Sequence, residues 1–385
     1  MSETKRKSKK KIIKITALSL AAVLIIGIAS AGVLLYGRIA SLLSVRQIAD
    51  ELYTMNFRQD YHLDKALSAG IKSKNDLMKF ICDDMLFGYQ MESGPLRYAC
   101  SAFRTETPDG KQLVGRNLDF NSIETLSLYT HPENGYASIA SADVSIGGIG
   151  KYAGVPFSST KGKIALLASP YLCVDGMNEK GLSVSILDLD MGELHQDTDK
   201  PELFILVAVR LLLDRAADVE EAVALLEQYD IHTGHGWTQH LFIADASGRS
   251  VVVEWREEKM NVVDSPACTN FPLSSKYAKE HPRDMCDRYN TMTDWLKKQP
   301  ENSPEDAMEL LRNVSVSFTQ WSCVFHLDDF SVDYAIDLDY QHIYTFRPED
   351  YRSFSYQTKK LRSVLRRDQA SARLYLSNST DPSSR

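Results

Sequence analysis

Cys100-Ser101-Ala102-Phe103 and Gly115-Arg116-Asn117-Leu118-Asp119-Phe120, with Pro108-Asp109-Gly110 between them, read as strand, turn and strand. The strand-like runs cover 101–105 and 112–120, and a Pro-Asp-Gly turn between two such runs folds them into an antiparallel hairpin. That hairpin returns Arg116 and Asp119 to the neighbourhood of Cys100. Three positions apart, they lie on opposite faces of a regular strand, so a bulge or strand end near Asn117 is required for both to reach one site. Taken singly, each residue has a plainer reading. A cysteine is most often a small buried hydrophobe, and an Arg and an Asp on a strand usually mark a solvated edge.

Outward from the hairpin, further strand-like runs cover 163–169, 182–189, 239–244 and 250–255, then 319–327, 331–337 and 342–346. Between them a helix follows Pro201, and a second opens at Asp218 with Glu221 as its capping-box partner. A third opens at Ser303-Pro304, with proline at the first helical position. Runs of strands separated by runs of helices predict an α+β domain with largely antiparallel sheets over 100–360. Before it, Ile48, Leu52, Met55 and Phe57, then Leu77, Met78, Ile81 and Met85, are spaced like a helix face. Residues 37–99 are therefore expected to form a helical prosegment, and the polar residues 361–385 a loose tail.

The N-terminal end carries a separate signal. Residues 1–14 hold a dense basic cluster, and the 22 residues of 15–36 contain no charge. As a helix rising ~1.5 Å per residue, that run spans the ~30 Å hydrocarbon core of a bilayer. The basic flank stays in the cytoplasm, so the expectation is a single-pass transmembrane signal anchor over 15–36 with the remainder extracytoplasmic. The alternative is a cleaved signal peptide, with Ala29-Ser30-Ala31 as the cleavage site and a secreted product.

Composition narrows the function. The net charge is −7 despite the basic N-terminus, and no basic stripe interleaves with aromatics, so nucleic-acid binding is not expected. The six cysteines form no CxxC pair, and no metal or cofactor is expected. His232-x-x-His235 lacks a carboxylate or cysteine at matched spacing and reads as an ordinary loop; Cys173 and Cys268 read as core packing. G-x-S-x-G, H-E-x-x-H, P-loop and G-x-G-x-x-G signatures are absent from the sequence.

The Cys100 strand, its Asp-Gly turn and Gly115-Arg116-Asn117-Leu118-Asp119-Phe120 together resemble the choloylglycine hydrolase superfamily. Asp175-Gly176-Met177-Asn178-Glu179-Lys180-Gly181-Leu182 is similar to its D-G-M-N-E-K-G-L block, and residues 237–254, from Trp237-Thr238-Gln239-His240 to Val253-Glu254, to its central hairpin. Thr269-Asn270-Phe271-Pro272, Asp287-Arg288-Tyr289 and Thr319-Gln320-Trp321-Ser322 resemble three later elements in the same order. The superfamily includes conjugated bile salt hydrolases, penicillin V acylases, acid ceramidase and N-acylethanolamine acid amidase. The resemblance implies an N-terminal nucleophile hydrolase fold, an αββα four-layer sandwich, activated by removal of residues 1–99.

Carried over by resemblance, Cys100 is the nucleophile and Arg116 favours its thiolate. Asp119 orients the new α-amine, Asn270 donates to the oxyanion, and Arg288 balances the site's charge. The α-amine freed by a cut at Ala99–Cys100 has a reference pKa of ~7.7–8.0, so the nucleophile supplies its own base. At the remaining oxyanion or substrate position the family usually has Asn or Tyr, whereas this chain has Asp188. The expected reaction is hydrolysis of a linear non-peptide amide: an N-acyl amine, an N-acyl amino acid or a bile-salt-like conjugate. The expected partners are that small molecule, the membrane through the N-terminal helix, and the chain's own prosegment. Two other readings stay open: an acyltransferase or peptidase of a related N-terminal-cysteine fold, and a non-catalytic extracellular binding protein.

Overall fold

The computed structural model describes residues 35–86, 88–91, 99–120, 124–150, 154–189, 191–192, 194–233, 238–256, 259–352 and 357–360, with Thr16 and Gly32. The basic tail 1–14, almost all of the apolar run 15–36 and the polar tail 361–385 lie outside the described residues. Among the described residues no helix is long and apolar enough to cross a membrane.

The strands, in chain order, are β1 (Arg46–Ala49), β2 (Leu52–Phe57), β3 (Ala99–Glu106), β4 (Gln112–Asp119), β5 (Thr125–Thr130), β6 (Ser138–Asp143), β7 (Cys173–Asn178), β8 (Ser183–Leu189) and β9 (Glu202–Phe204). They continue with β10 (Asp230–His232), β11 (Thr238–Ala244), β12 (Ser250–Arg256), β13 (Lys259–Asp264), β14 (Ala267–Cys268), β15 (Thr319–His326), β16 (Ser331–Ile336), β17 (Asp339–Phe346) and β18 (Gln357–Lys360). One sheet runs β1-β2-β5-β6-β7-β8-β11-β12-β13, the other β14-β3-β4-β15-β16-β17-β18, and β9 pairs with β10 alone. Pairing is antiparallel throughout both sheets except for β2 beside β5.

Strands β5 to β8 and β11 are buried at every position. Such strands are covered on both faces, and here the covers are the second sheet on one side and helices on the other. Ile205–Arg215, buried from Ile205 through Asp214, packs on β7 and β8. Against the opposite sheet lie Asp287–Lys298 and Pro304–Asn313, the latter started by a Ser303/Asp306 capping box with Pro304 at its first position. Between the sheets, Trp321 Nε1 donates to Asp175 Oδ2 at 3.1 Å. The result is the four-layer αββα order expected from the resemblance.

Two expectations about local structure are corrected. The prosegment is not purely helical: residues 35–43 are helical, β1 and β2 then extend the larger sheet, and the chain turns helical again through Leu63–Ser68, Lys74–Phe80 and Ile81–Met85. In β2 five of six residues are buried, so no polar face marks its period, and a short apolar run of this kind reads equally as helix or strand. The same ambiguity misplaced 163–169, predicted as strand. It is helical, through Thr160–Ala165 and the 3-10 turn Leu166–Tyr171, opened by the Ser159 hydroxyl accepting from the Gly162 amide.

Candidate active site

The hairpin register pairs Cys100 with Leu118, Ala102 with Arg116 and Ala99 with Asp119. Paired residues share a face and neighbours alternate, so Cys100 and Arg116 point toward the larger sheet while Asp119 points away with Asn117. Asn117 Nδ2 donates to Leu311 O of the outer helix at 2.8 Å, which marks that face. The break in regularity needed to join both residues in one site is present, though not at Asn117. Asp119 is the last residue of β4, and the neighbouring β15 skips a residue between Thr319 and Trp321.

A closed ring of hydrogen bonds surrounds the Cys100 backbone. Its N–H donates to Asn270 Oδ1 at 2.8 Å, and its carbonyl accepts from Arg288 Nη1 at 2.7 Å. Arg288 also donates to Asn270 Oδ1 at 2.8 Å and to Asp119 Oδ2 at 3.0 Å. Thr319 Oγ1 supports the ring from outside by donating to Asp119 Oδ1 at 2.6 Å. Asn270 follows β14, Arg288 stands in the first turn of Asp287–Lys298, and Thr319 opens β15, so four separate segments converge on one residue. In this uncut chain Asn270, not Asp119, takes the Cys100 N–H. Asp119 sits opposite Ala99 in the ladder and is engaged by Arg288 and Thr319 instead.

Arg116 lies fully buried behind the thiol. Nη2 donates to Ile186 O at 2.7 Å, Nη1 to Asn117 O at 2.5 Å, and Nε stands 3.5 Å from Asp175 Oδ2. Burial opposes its charge, but Cys100 and Asp175 outweigh burial, and its pKa is raised. The Cys100 thiol is pushed up to about 12, by burial first, with Arg116 pulling it down and Asp119 and Asp188 adding to the rise. With the Ala99–Cys100 peptide intact the sulfur is therefore a thiol at neutral pH, and thiols are poor nucleophiles. Asp119 is raised to about 6, by burial foremost, against the Thr319 hydrogen bond and the Arg288 and Arg116 charges.

Asp188 enters the site through its backbone. Its carbonyl accepts from Asn270 Nδ2 at 2.9 Å, while its Oδ1 accepts from Gln239 Nε2 at 3.1 Å. The register pairs Asp188 with Gln239, so both side chains share the face opposite that of the adjacent His240.

Thr319 and Gln239 were not singled out as site residues in the sequence. For Thr319 the signal was present, because its motif strand pairs directly with the end of β4. His232 Nε2 bonds Glu202 and its Nδ1 lies 3.1 Å from His195 Nδ1, while His235 lies outside the described residues. Among the described residues, no group of three or more His, Cys, Asp or Glu is placed to hold a metal ion.

The chain is similar to a known family, to two relatives and to a solved structure. Residues 100–307 match the family described as linear amide C-N hydrolases, choloylglycine hydrolase family. Over 184 residues, 45% of this chain and 54% of the relative, the sequence is 29% identical to a bile salt hydrolase/transferase of Clostridium perfringens. Over 218 residues, 52% of this chain and 57% of the relative, it is 26% identical to a penicillin V acylase of Pectobacterium atrosepticum. The chain thus spans about half the length of these relatives. In three dimensions, 68% of the chain matches 96% of a mutant conjugated bile acid hydrolase from Clostridium perfringens, with TM-score 0.51 and 18% identity, a likeness of fold alone.

Proposed function

Because the chain belongs to the choloylglycine hydrolase family of linear amide C-N hydrolases, we propose that it hydrolyses a linear non-peptide amide through a thioester on Cys100, after the Ala99–Cys100 bond is cut. The observation that carries this reading is the ring of Asn270 and Arg288 closed around the backbone of a buried cysteine and supported by Asp119 and Thr319, with Arg116 behind its sulfur. Once Ala99 is gone, the Cys100 nitrogen is an amine. It takes the thiol proton, the sulfur attacks the amide carbon, and the amine product leaves with a proton as the thioester forms. Water then cleaves the thioester to a carboxylic acid and regenerates the thiol. Asp119 holds the α-amine, and Asn270 Nδ2 turns from Asp188 O to the developing oxyanion. At the second oxyanion position Asp188 supplies no donor: its carbonyl holds Asn270 Nδ2 and its carboxylate is engaged by Gln239, so Asn270 is the oxyanion donor in this reading.

The test is product analysis on a panel of N-acyl amines, N-acyl amino acids and bile-salt-like conjugates. Stoichiometric acid and amine support hydrolysis. Preferential acyl capture by an added amine acceptor points to transfer, and no turnover by a chain beginning at Cys100 overturns the reading.

Activity is expected to fall as pH drops through the Asp119 titration, which burial raises to about 6 in the uncut chain and which the charge of the freed α-amine lowers from there. The sign separates chemistry from unfolding. A carboxylate whose folded pKa lies above its unfolded value of ~3.9 binds its proton more tightly in the fold, so its protonation favours the folded state as pH falls. An acidic limb at or below about 6 with no loss of thermal midpoint over the same range is the expected result, and Asp119→Asn should remove that limb along with most of the turnover.

The prosegment stays with the catalytic part after the cut. Leu52, Met55, Leu77, Ile81 and Met85 have no exposed surface, β2 is laid beside β5, and Tyr61 Oη donates to Asp214 Oδ2 at 2.7 Å. Separating the pieces would bare that apolar surface at ~25 cal/mol per Å². The run 15–36 serves as a transmembrane signal anchor, with the hydrolase extracytoplasmic and tethered through residues 37–99. Alkaline-washed membranes should retain both fragments, and only denaturant should release the piece that begins at Cys100. Finding that piece alone in the medium would overturn the tether.

A further inference from the structure

His240 in β11 and Glu254 in β12 are cross-strand neighbours, because the register pairs Leu241 with Val253. Neither has any exposed surface. His240 Nδ1 lies 3.2 Å from Glu254 Oε1, and Nε2 lies 2.8 Å from Thr269 O. Two lone pairs do not face each other at that separation, so one proton lies between Nδ1 and Oε1, and Nε2–H donates to the carbonyl. Glu254 then reaches further along the same segment. Its Oε1 accepts from the Leu273 amide at 2.7 Å and its Oε2 from the Ser274 amide at 2.9 Å. Burial works against the carboxylate charge, but the hydrogen bonds from His240 and Ser274 outweigh it and hold Glu254 below the usual carboxylate range.

Residues 269–274 are thus fastened at three backbone atoms by two side chains. Within that segment stands Asn270, whose Oδ1 is 2.8 Å from the Cys100 nitrogen. A buried charged pair is costly, and it is tolerated only where every donor and acceptor is matched, as here. The chemistry described above uses neither residue.

We propose that His240 and Glu254 are positioning residues: a buried, proton-sharing clamp on residues 269–274 that sets Asn270 against Cys100. The clamp rests on the reading of Cys100 as the nucleophile. It acts through Asn270, which bonds the Cys100 nitrogen and donates to the developing oxyanion. Glu254→Gln and His240→Ala are therefore expected to lower kcat per reactive thiol by about tenfold or more, the scale of a misplaced oxyanion donor. KM should stay within about twofold, since substrate binding is untouched. His240→Gln keeps a donor for Thr269 O and should recover part of the loss.

The experiment uses the full chain in detergent. Reactive Cys100 is titrated with an alkylating reagent, kcat and KM are measured, and deuterium uptake by residues 269–274 is followed. The clamp predicts slow uptake in the wild type and fast uptake in Glu254→Gln. Unchanged kcat per titrated thiol in folded variants, or fast uptake in the wild type, overturns the proposal. If the variants fail to fold, the wild-type uptake decides. If the wild type turns over no amide, the proposed function fails while the uptake comparison still judges the clamp.

Discussion

Cys100→Ala is expected to leave a folded, uncut chain with no amide turnover. Removing the nucleophile of a covalent hydrolase lowers turnover on the order of 10⁶-fold. The fold should barely notice, because the change takes away one buried sulfur at a cost of about 1 kcal/mol. The ring around Cys100 is built on its backbone N–H and carbonyl, which alanine keeps. Intact mass, N-terminal sequencing and thermal melting read the three parts of this prediction together. A wild-type chain beginning Cys-Ser-Ala-Phe beside a whole mutant shows that Cys100 cuts its own chain. A mutant that is still cut moves the cleavage to another protease without touching the hydrolytic role. A mutant that still hydrolyses amides would dispose of Cys100 as nucleophile.

Arg116→Met should be the most destabilising single change at the site. It strips the guanidinium from Asp175, a carboxyl with no exposed surface whose pKa burial already raises, and it removes a hydrogen bond to Ile186 O. Breaking one side of a buried ion pair costs about 3–5 kcal/mol. Arg116 is also the largest influence pulling the Cys100 thiol down against burial. Each unit by which that thiol rises removes a factor of about ten in thiolate. The double variant Arg116→Met with Asp175→Asn separates the two effects, since it removes the stranded charge but not the electrostatic loss at sulfur. Urea unfolding should show most of the stability restored, while alkylation of the matured chain stays slow. If alkylation recovers with stability, Arg116 is a structural charge and nothing more.

The hairpin of Cys100 was readable because its signal is local: strand runs, a Pro-Asp-Gly turn and a cysteine at fixed offsets. The helix starts at Asp218 and Ser303 were readable for the same reason, since a cap is a contact over three residues, and both caps are made. The β strands of the prosegment were not. Leu52 to Phe57 form a strand only because β5 offers an edge to lie against, a partner some seventy residues away in the chain. The convergence of Asn270 and Arg288 on Cys100 was known only through resemblance, because no spacing rule links residues that far apart.

What the sequence alone determined was the class of fold, the cysteine, and the residue types available to it, because alternation, turns and caps are written in neighbouring residues. Tertiary structure alone decided which atoms meet. It gave the Cys100 amide to Asn270 rather than Asp119, bound the Asp188 carboxylate to Gln239, and joined His240 to Glu254. Each of these follows from strand register and sheet stacking, and both are settled by burying apolar faces across the whole molecule, not by any stretch of chain read on its own.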